Sequence, residues 1–195
     1  MPNGFACFSE CRNYRYLLGR TWDPDGCAVL FLGLNPSTAD EKANDPTVRR
    51  CIRFAKDWGF GTLLLANLFA LRSTNPMELY NHHDPVGVQN DIVLRLLRGS
   101  AKEVVFAWGA RGGFMERDQI VRKIYPEASC FGVTKDGHPR HPLYIAASTS
   151  LHRFGGTSVP LSGRKRAKAE RLCTPITLKD TLAMLNERTP CVVSY

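Results

Sequence analysis

Hydrophobic positions in the middle of the chain alternate between short continuous runs and segments with helical spacing. Ala28–Gly33 and Thr62–Asn67 are almost wholly apolar, and Glu103–Trp108 and Ala128–Val133 are also β-rich. Apolar runs of about four to eight residues predict buried strands. The pattern therefore predicts four strands in this order along the chain.

The segments between these strands predict helices. Thr47–Gly59 carries apolar residues on one helical face, Asp45 can cap its start, and Gly59 can end it. Further helices are predicted over about Val86–Arg98 and Met115–Tyr125. The apolar face of the second helix is expected to include Val88, Ile92 and Leu96.

Strands that alternate with helices are typical of α/β proteins, in which helices cover a parallel sheet. The expected architecture is a three-layer α/β/α fold with a central, mainly parallel four-stranded sheet. With 195 residues, of which 44% are hydrophobic, the chain predicts one domain over residues 1–195. The segment before Ala28 is expected to be either an additional hairpin or a covering segment.

The C-terminal part has a different character. After Phe154 the chain becomes polar and basic, which predicts a loop or tail at about 155–175 and a short helix around Leu178–Leu185. The formal net charge of +8 favours a polyanionic partner, and nucleic acid and a phosphorylated metabolite fit this charge equally well. If the partner is DNA, the residues of this stretch that would contact its backbone are Arg164, Lys165, Arg166, Lys168 and Arg171.

Several classes of protein are not indicated by the sequence. No apolar stretch reaches the roughly 18 residues that cross a bilayer, and the N-terminus lacks the apolar core of a secretion signal. A cytoplasmic location is expected, with no membrane partner and no obligatory protein partner. No G-x-S-x-G, Walker or G-x-G-x-x-G motif occurs in the right context, which argues against an esterase, a P-loop enzyme and a dinucleotide-dependent oxidoreductase. His82-His83-Asp84 has no third ligand at a useful spacing, so neither a metal nor a cofactor is expected.

Polar residues follow the first two predicted strands, at the points where ligands collect in α/β sheets. Gly33 lets the chain turn, and Pro36 rigidifies the turn so that the Asn35 amide can orient a water. A plain Asn-Pro turn is the alternative. Asn67 ends the second strand, where its amide can read the edge of a base or serve only as a strand cap.

Histidines and carboxylates supply two further sets of candidates. His138 and His141 each precede a proline, and either can donate a hydrogen bond to a leaving group or be an ordinary surface histidine. Asp40, with Glu41 and Asp45, is an alternative activator of water. These three carboxylates also fit a solvated, helix-capping stretch.

The strand-end motifs, taken in order, resemble the α/β-fold uracil-DNA glycosylase superfamily. Its members carry a G-x-N/D-P motif, an apolar strand ending at Asn, a strand ending in Trp-Gly and a His-Pro loop. This chain has GLNPS, LLLAN, VVFAWG and HPRHPL between Val29 and Leu143. The longer signature LNPSTAD followed by NDPT is similar to a poorly characterised bacterial and phage branch. Within that branch, the resemblance extends to glycosylases that attack modified phage bases.

The resemblance implies roles one residue at a time. Asn35 would position the hydrolytic water, and Asn67 would read the base. His141, or else His138, would bind the departing base, while Leu143 would fill the space that the extruded base leaves. The aromatic residues that could stack on the base are Phe69, Trp22 and Tyr144. The first-motif residues expected to contact the substrate are Gly33, Leu34, Pro36 and Ser37.

The expected function is that of a monofunctional DNA glycosylase, which hydrolyses the N-glycosidic bond of a flipped-out base and leaves an abasic site. Glucosylated hydroxymethylcytosine of phage DNA is the candidate base, in antiviral defence or in repair. Two alternatives stay open. One is a hydrolase or transferase that acts on free nucleosides or nucleotides, and the other is a non-catalytic reader of modified DNA.

Overall fold

The computed structural model describes residues 3–75, 77–156, 183, 187 and 192–194. The strands are Asn3–Phe8 (β1), Arg15–Thr21 (β2), Ala28–Gly33 (β3), Thr62–Asn67 (β4), Glu103–Phe106 (β5), Ser129–Cys130 (β6), His152–Arg153 (β7) and Val192–Ser194 (β8). They form a single sheet in the order β7-β6-β5-β3-β4-β2-β1-β8.

The predicted fold class is wrong. Four of the seven strand pairs in this sheet are antiparallel, namely β1 with β2, β1 with β8, β2 with β4, and β6 with β7. The sheet is therefore mixed and mostly antiparallel, with eight strands. It is not a central four-stranded, mainly parallel sheet between two helical layers.

The error arises outside the four predicted strands. Of the two alternatives for the segment before Ala28, the structure has the hairpin, which joins the sheet through antiparallel pairing of β2 with β4. Arg15 and Arg20 interrupt the apolar run of β2, although both are buried. Because charged residues in a strand normally mark an exposed face, this interruption hides a strand that lies inside the sheet.

The three parallel pairs set the position of the candidate site. β3 pairs with β4 and β5, and β5 pairs with β6. Gly33 lies opposite Asn67, and Leu32 lies opposite Phe106, so these three strands end together. Because β2 runs antiparallel to β4, the turn between β1 and β2 reaches the same place. We call this end of the sheet the carboxyl edge.

The described helices are Pro46–Asp57 (α1), Glu78–Asn81 (α2), Asn90–Leu96 (α3) and Arg117–Ile124 (α4), with 3-10 turns at Gly109–Arg111, Phe114–Glu116 and Pro142–Tyr144. The start of α1 confirms a prediction, because the Asp45 carboxylate accepts a hydrogen bond from the Val48 N–H at 2.8 Å. Gly59 follows α1 with a φ of 79°, a conformation that favours glycine.

The prediction for α3 was wrong in length and in phase. Val88 precedes the helix, and both Val88 and Ile92 are exposed. Asn90 is buried instead, together with Val93 and Leu94. A polar residue occupies the buried face because its side chain has a specific task at the carboxyl edge, described below.

Two apolar clusters lie on opposite faces of the sheet. One contains Leu30, Leu32, Leu64 and Phe106 and packs against α3 and α4. The other contains Phe31, Leu65 and Ala107 together with the apolar face of α1. Alternate residues of a strand face opposite sides, so Gly33 and Asn67 continue the α1 face. None of the helices among the described residues has the length and apolar character needed to span a bilayer.

Candidate active site at the carboxyl edge

Gly33 and Asn67 form the centre of the carboxyl edge. A Cβ atom on Gly33 would lie 2.7 Å from Asn67 Oδ1, so only glycine leaves room for the amide here. Asn67 is 3% exposed, and its Nδ2 has no hydrogen-bond partner among the described residues. A buried amide donor without a partner costs free energy, and Asn90 Oδ1 and Trp108 Nε1 near the same edge are likewise buried without a partner among the described residues.

The backbone behind Asn67 is held by polar side chains that the sequence analysis did not single out. Asn90 Nδ2 donates to the carbonyl oxygens of Asn67 and Leu68 at 3.2 and 2.9 Å. Arg117 Nε donates to the Leu68 oxygen at 3.1 Å, and Arg117 Nη2 lies 2.5 Å from an Asp91 oxygen. These contacts fix the end of β4, so Asn67 is presented by a rigid support.

The histidine loop joins the same edge through backbone contacts. The Gly109 N–H donates to the Pro139 oxygen at 2.9 Å, and the Arg140 N–H donates to the Gly132 oxygen at 3.0 Å. A Cβ atom on Gly109, which has a φ of 74°, would lie 3.6 Å from the Cβ of His141. His141 therefore lies beside the end of β5. Trp108, which directly precedes Gly109, is buried in the core.

His141 has a defined protonation pattern. Its Nδ1 accepts a hydrogen bond from the Leu143 N–H at 3.3 Å. A neutral imidazole whose Nδ1 is an acceptor carries its proton on Nε2. Burial lowers the pKa of His141, and the Asp45 carboxylate opposes that shift. At neutral pH the side chain is thus an uncharged donor through Nε2.

His138 occupies a different position. It lies in a turn in which the His138 N–H donates to Thr134 Oγ1 at 3.2 Å. Its ring lies against Gly113, where a Cβ atom would be 3.4 Å from His138 Cε1. The two histidines therefore lie at different places: His141 lies beside Gly109, and His138 lies beside Gly113, just before the 3-10 turn Phe114–Glu116.

Asn35 is oriented by backbone carbonyls. Its Nδ2 donates to the Ser73 oxygen at 2.9 Å and to the Pro36 oxygen at 3.1 Å. With the amide nitrogen held in this way, Oδ1 is left without a donor among the described residues. Asn35 therefore links the loops after β3 and β4 and presents one hydrogen-bond acceptor.

Asp40 is committed to its own loop. Its Oδ1 accepts hydrogen bonds from the N–H groups of Lys42 and Ala43 at 2.9 and 2.6 Å. The Ala43 N–H is the largest cause of a lowered pKa at Asp40. Arg15 and Arg20 hold the same loop through the carbonyl oxygens of Ala39 and Asp40. This carboxylate has a structural task, and its lowered pKa makes it a weak base.

A sequence profile described as "Protein of unknown function (DUF1643)" matches residues 15–143. This segment covers more than half of the chain and all four strand-end motifs. The chain belongs to the DUF1643 family. No curated protein and no solved structure matches it.

The aromatic candidates of this DUF1643 chain differ sharply in exposure. Phe69 is fully buried and contacts Phe114, with the ring centroids 5.6 Å apart. Trp22 lies at the opposite end of the sheet, because its N–H donates to Gly61, just before β4. Tyr144 is 84% exposed and Leu143 is 42% exposed, and both lie in the 3-10 turn that begins after His141. Two exposed apolar side chains therefore project beside the imidazole.

The other predicted contacts fall into three groups. Leu34 packs against the core and Pro36 is buried, so neither is freely available to a ligand. Ser37 lines an open cavity of about 400 Å³. The predicted DNA-backbone contacts Arg164, Lys165, Arg166, Lys168 and Arg171 lie outside the described residues, as does the helix predicted around 178–185 except for residue 183, which is helical.

That cavity is the main feature of the DUF1643 chain that the sequence analysis missed. We call it the arginine cavity, and its lining residues are Arg12, Asn13, Ser37, Thr38, Leu71, Arg72, Ser73, Thr74 and His82. It adjoins the Asn35 loop, because the Ser73 carbonyl accepts the Asn35 amide. The arginines come from the β1–β2 turn and the loop after β4, whose approach depends on the antiparallel pairing that the sequence did not reveal.

Proposed function

We propose that this chain is a DNA glycosylase that hydrolyses the N-glycosidic bond of a flipped-out base and leaves an abasic site. The observation that carries the proposal is the buried, unpartnered amide of Asn67 beside the side-chain-free Gly33. A ligand with hydrogen-bonding groups in one plane, such as the edge of a base, would satisfy that amide. Because the proposed substrate is DNA, the proposal includes a location in the cytoplasm.

The neighbouring side chains provide the groups that such a reaction needs. The C1′–N bond breaks with its electron pair leaving on the base, and His141 Nε2–H stabilises the developing negative charge by a hydrogen bond. Water then adds its oxygen to C1′, and its proton goes to solvent or to the base. Asn35 Oδ1 is the acceptor that orients this water. An amide is a feeble base, so position and preorganised hydrogen bonds supply most of the acceleration.

Leu143 and Tyr144 support a duplex substrate. Both are exposed on the 3-10 turn that begins directly after His141. Apolar side chains inserted between base steps can hold a duplex open after a base has left the stack. A modified base is the expected substrate, and glucosylated hydroxymethylcytosine in phage DNA is the first candidate, with defence as the setting.

One observation favours the alternative of a non-catalytic reader. The Asp40 carboxylate is occupied by backbone donors, which leaves Asn35 as the water-binding group of the site. A reader needs the Asn67 amide and the exposed apolar side chains but no water activation. The two functions therefore make the same prediction for binding and opposite predictions for release of a base.

The test is incubation of the protein with unmodified DNA, uracil-containing DNA and DNA containing glucosylated hydroxymethylcytosine. Mass spectrometry detects a released base, and alkali cleavage detects abasic sites. The proposal expects release from at least one substrate and a loss of roughly a hundredfold in Asn35→Ala, which removes the acceptor for water. Tight binding with no release from any of the three supports the reader instead.

A control variant and a stability measurement distinguish loss of the Asn35 acceptor from misfolding of the loop. Asn35→Ala also loses the hydrogen bonds to Ser73 and Pro36, so its melting temperature must be measured. Asn75→Ala keeps the Ser73 carbonyl that accepts the Asn35 amide and serves as the control on the same loop, because Asn75 does not line the arginine cavity. If Asn35→Ala folds and releases base at the wild-type rate, the assigned role of Asn35 is wrong.

A further inference from the structure

The arginine cavity has a lining suited to a phosphate group. Two arginines and four hydroxyl-bearing side chains face it, and none of its lining residues is a carboxylate. Arginine and hydroxyl groups are the common donors to phosphate oxygens in proteins. The composition of the lining therefore favours an anion with several acceptor oxygens.

The two arginines contact the same aromatic ring and have no common carboxylate partner among the described residues. The guanidinium carbons of Arg12 and Arg72 lie 4.1 and 5.0 Å from the centroid of the same ring, that of the buried Phe8. Arg72 Nη1 donates to the Arg12 carbonyl oxygen at 3.0 Å, whereas Arg72 Nε is buried and has no partner among the described residues. An anion in the cavity that both groups line would offset their positive charges.

A third positive charge lies behind the cavity. Arg15 is 2% exposed and has no carboxylate within ion-pair distance among the described residues. Burial lowers its pKa to about 10, so it remains charged at neutral pH. Its Nη1 holds the Ala39 carbonyl oxygen at 2.7 Å, in the loop that carries Ser37 and Thr38. A buried cation without an ion-pair partner adds to the positive potential at this edge.

The nearby carboxylates neutralise only part of this charge. Glu41 lies 3.2 Å from Arg12. Asp45 and Asp40 interact electrostatically with Arg15, although the Asp40 carboxylate accepts its hydrogen bonds from its own loop. Arg12 also has a φ of 56°, a region in which a turn residue is normally Gly or Asn. The turn geometry alone does not favour arginine at this position.

We infer that the arginine cavity binds a phosphate group through Arg12 and Arg72. The phosphate is either a phosphodiester of the DNA strand whose base enters the neighbouring site or the phosphate of a free nucleotide. The DNA source rests on the proposed function. The phosphate subsite itself does not require that any base be released.

The test measures the affinity of the full chain for inorganic phosphate and for single-stranded oligothymidylate, by isothermal titration calorimetry. Arg72→Gln and Arg12→Gly are compared with Lys102→Gln, which removes one positive charge at the opposite edge, where the Lys102 N–H donates to Ala28. Arg12→Gly also relieves the φ constraint, so it keeps the test valid if Arg72→Gln does not fold. Melting temperatures establish that each variant is folded.

The expected result is a loss of about tenfold in affinity in each arginine variant, as for one charge-assisted hydrogen bond, with little change in Lys102→Gln. The salt dependence of oligothymidylate binding should fall by roughly 0.7 in slope for each lost phosphate contact. Competition between inorganic phosphate and oligothymidylate identifies the phosphodiester as the source. Binding of phosphate without such competition identifies a free nucleotide.

The inference is overturned if neither ligand depends on Arg12 and Arg72 more than on Lys102. Its failure is distinguishable from failure of the proposed function. Loss of phosphate binding in the variants without base release by the wild type supports this subsite and contradicts the glycosylase. Base release by the wild type, together with phosphate and oligothymidylate binding that does not depend on either arginine, does the reverse.

Discussion

The two sides of the carboxyl edge use opposite chemistry. On one side, Gly33, Asn67 and His141 present a buried amide and a half-buried neutral imidazole. On the other side, Arg12 and Arg72 line an open cavity with fixed positive charge. Asn35 connects the two sides, because its amide donates to the carbonyl of Ser73, which lines the arginine cavity.

The comparison shows how one edge can separate affinity from chemistry. Charge acts over distance and is screened by salt, so the arginine side contributes to binding of a polyanion without reading its sequence. Buried hydrogen-bonding groups act only on a ligand that fits their geometry, so the neutral side contributes selectivity and turnover. A substitution on the arginine side should therefore change affinity with little effect on turnover, and a substitution on the neutral side should do the opposite.

The largest expected effect comes from the imidazole. His141→Asn keeps an acceptor for the Leu143 N–H but removes the Nε2 donor, and base release at saturating DNA should fall by roughly 10²–10³. His141→Gln, whose amide nitrogen can approach the Nε2 position, should recover part of this loss. His138→Asn should have less than a tenfold effect. Single-turnover kinetics measure all three, and equal losses at both histidines would remove the distinction that the structure draws between them.

An intermediate effect is expected where the neutral side meets the duplex. Leu143→Ala and Tyr144→Ala should each reduce release from duplex DNA by about tenfold while leaving release from a single strand unchanged, because a single strand needs no wedge. Both side chains are substantially exposed, so stability should change by less than about 0.5 kcal/mol. Comparison of duplex and single-stranded substrates makes the measurement. A loss that is the same on both substrates would show that these residues touch the base and do not open the helix.

The smallest expected effect is on stability as a function of pH. Burial lowers the pKa of His141 below its ordinary value near 6.5, so the unfolded chain binds the proton first as the pH falls. This residue's contribution to stability is complete above about pH 6.5 and is lost as the pH falls through the folded-state pKa. Chemical denaturation of wild type and His141→Asn between pH 5 and pH 8 should give curves that converge toward low pH. Parallel curves would contradict the assigned protonation state.

Much of the neutral side could be predicted from sequence. The runs ending at Gly33 and Asn67 are apolar and local, and continuous apolar runs are a direct signal of buried strands. The Asp45 cap is also local, because it depends only on residues three positions apart. Short-range patterns of this kind can be recognised in the sequence without knowledge of the whole fold.

The arginine side could not be predicted in the same way. Its position depends on β2 pairing with β4, a long-range contact, and Arg15 and Arg20 conceal the apolar character of that strand. The predicted buried face of α3 was also wrong, because Val88 and Ile92 are exposed and Asn90 is buried. In both cases a polar side chain is buried to satisfy backbone carbonyls that only the folded chain brings near it.

The central claim is that the unpartnered Asn67 amide exists for a ligand, and Asn67→Leu tests it most directly. Removing a buried, unsatisfied donor should raise the free energy of unfolding by about 1–3 kcal/mol, while base release should be lost. Asn90→Leu is the contrasting variant: Asn90 Nδ2 donates to two carbonyl oxygens, and their loss should outweigh removal of the unpartnered Asn90 Oδ1 and lower stability. A more stable Asn67→Leu protein that no longer releases base is the predicted result. A less stable protein, or one that releases base at the wild-type rate, would contradict the claim.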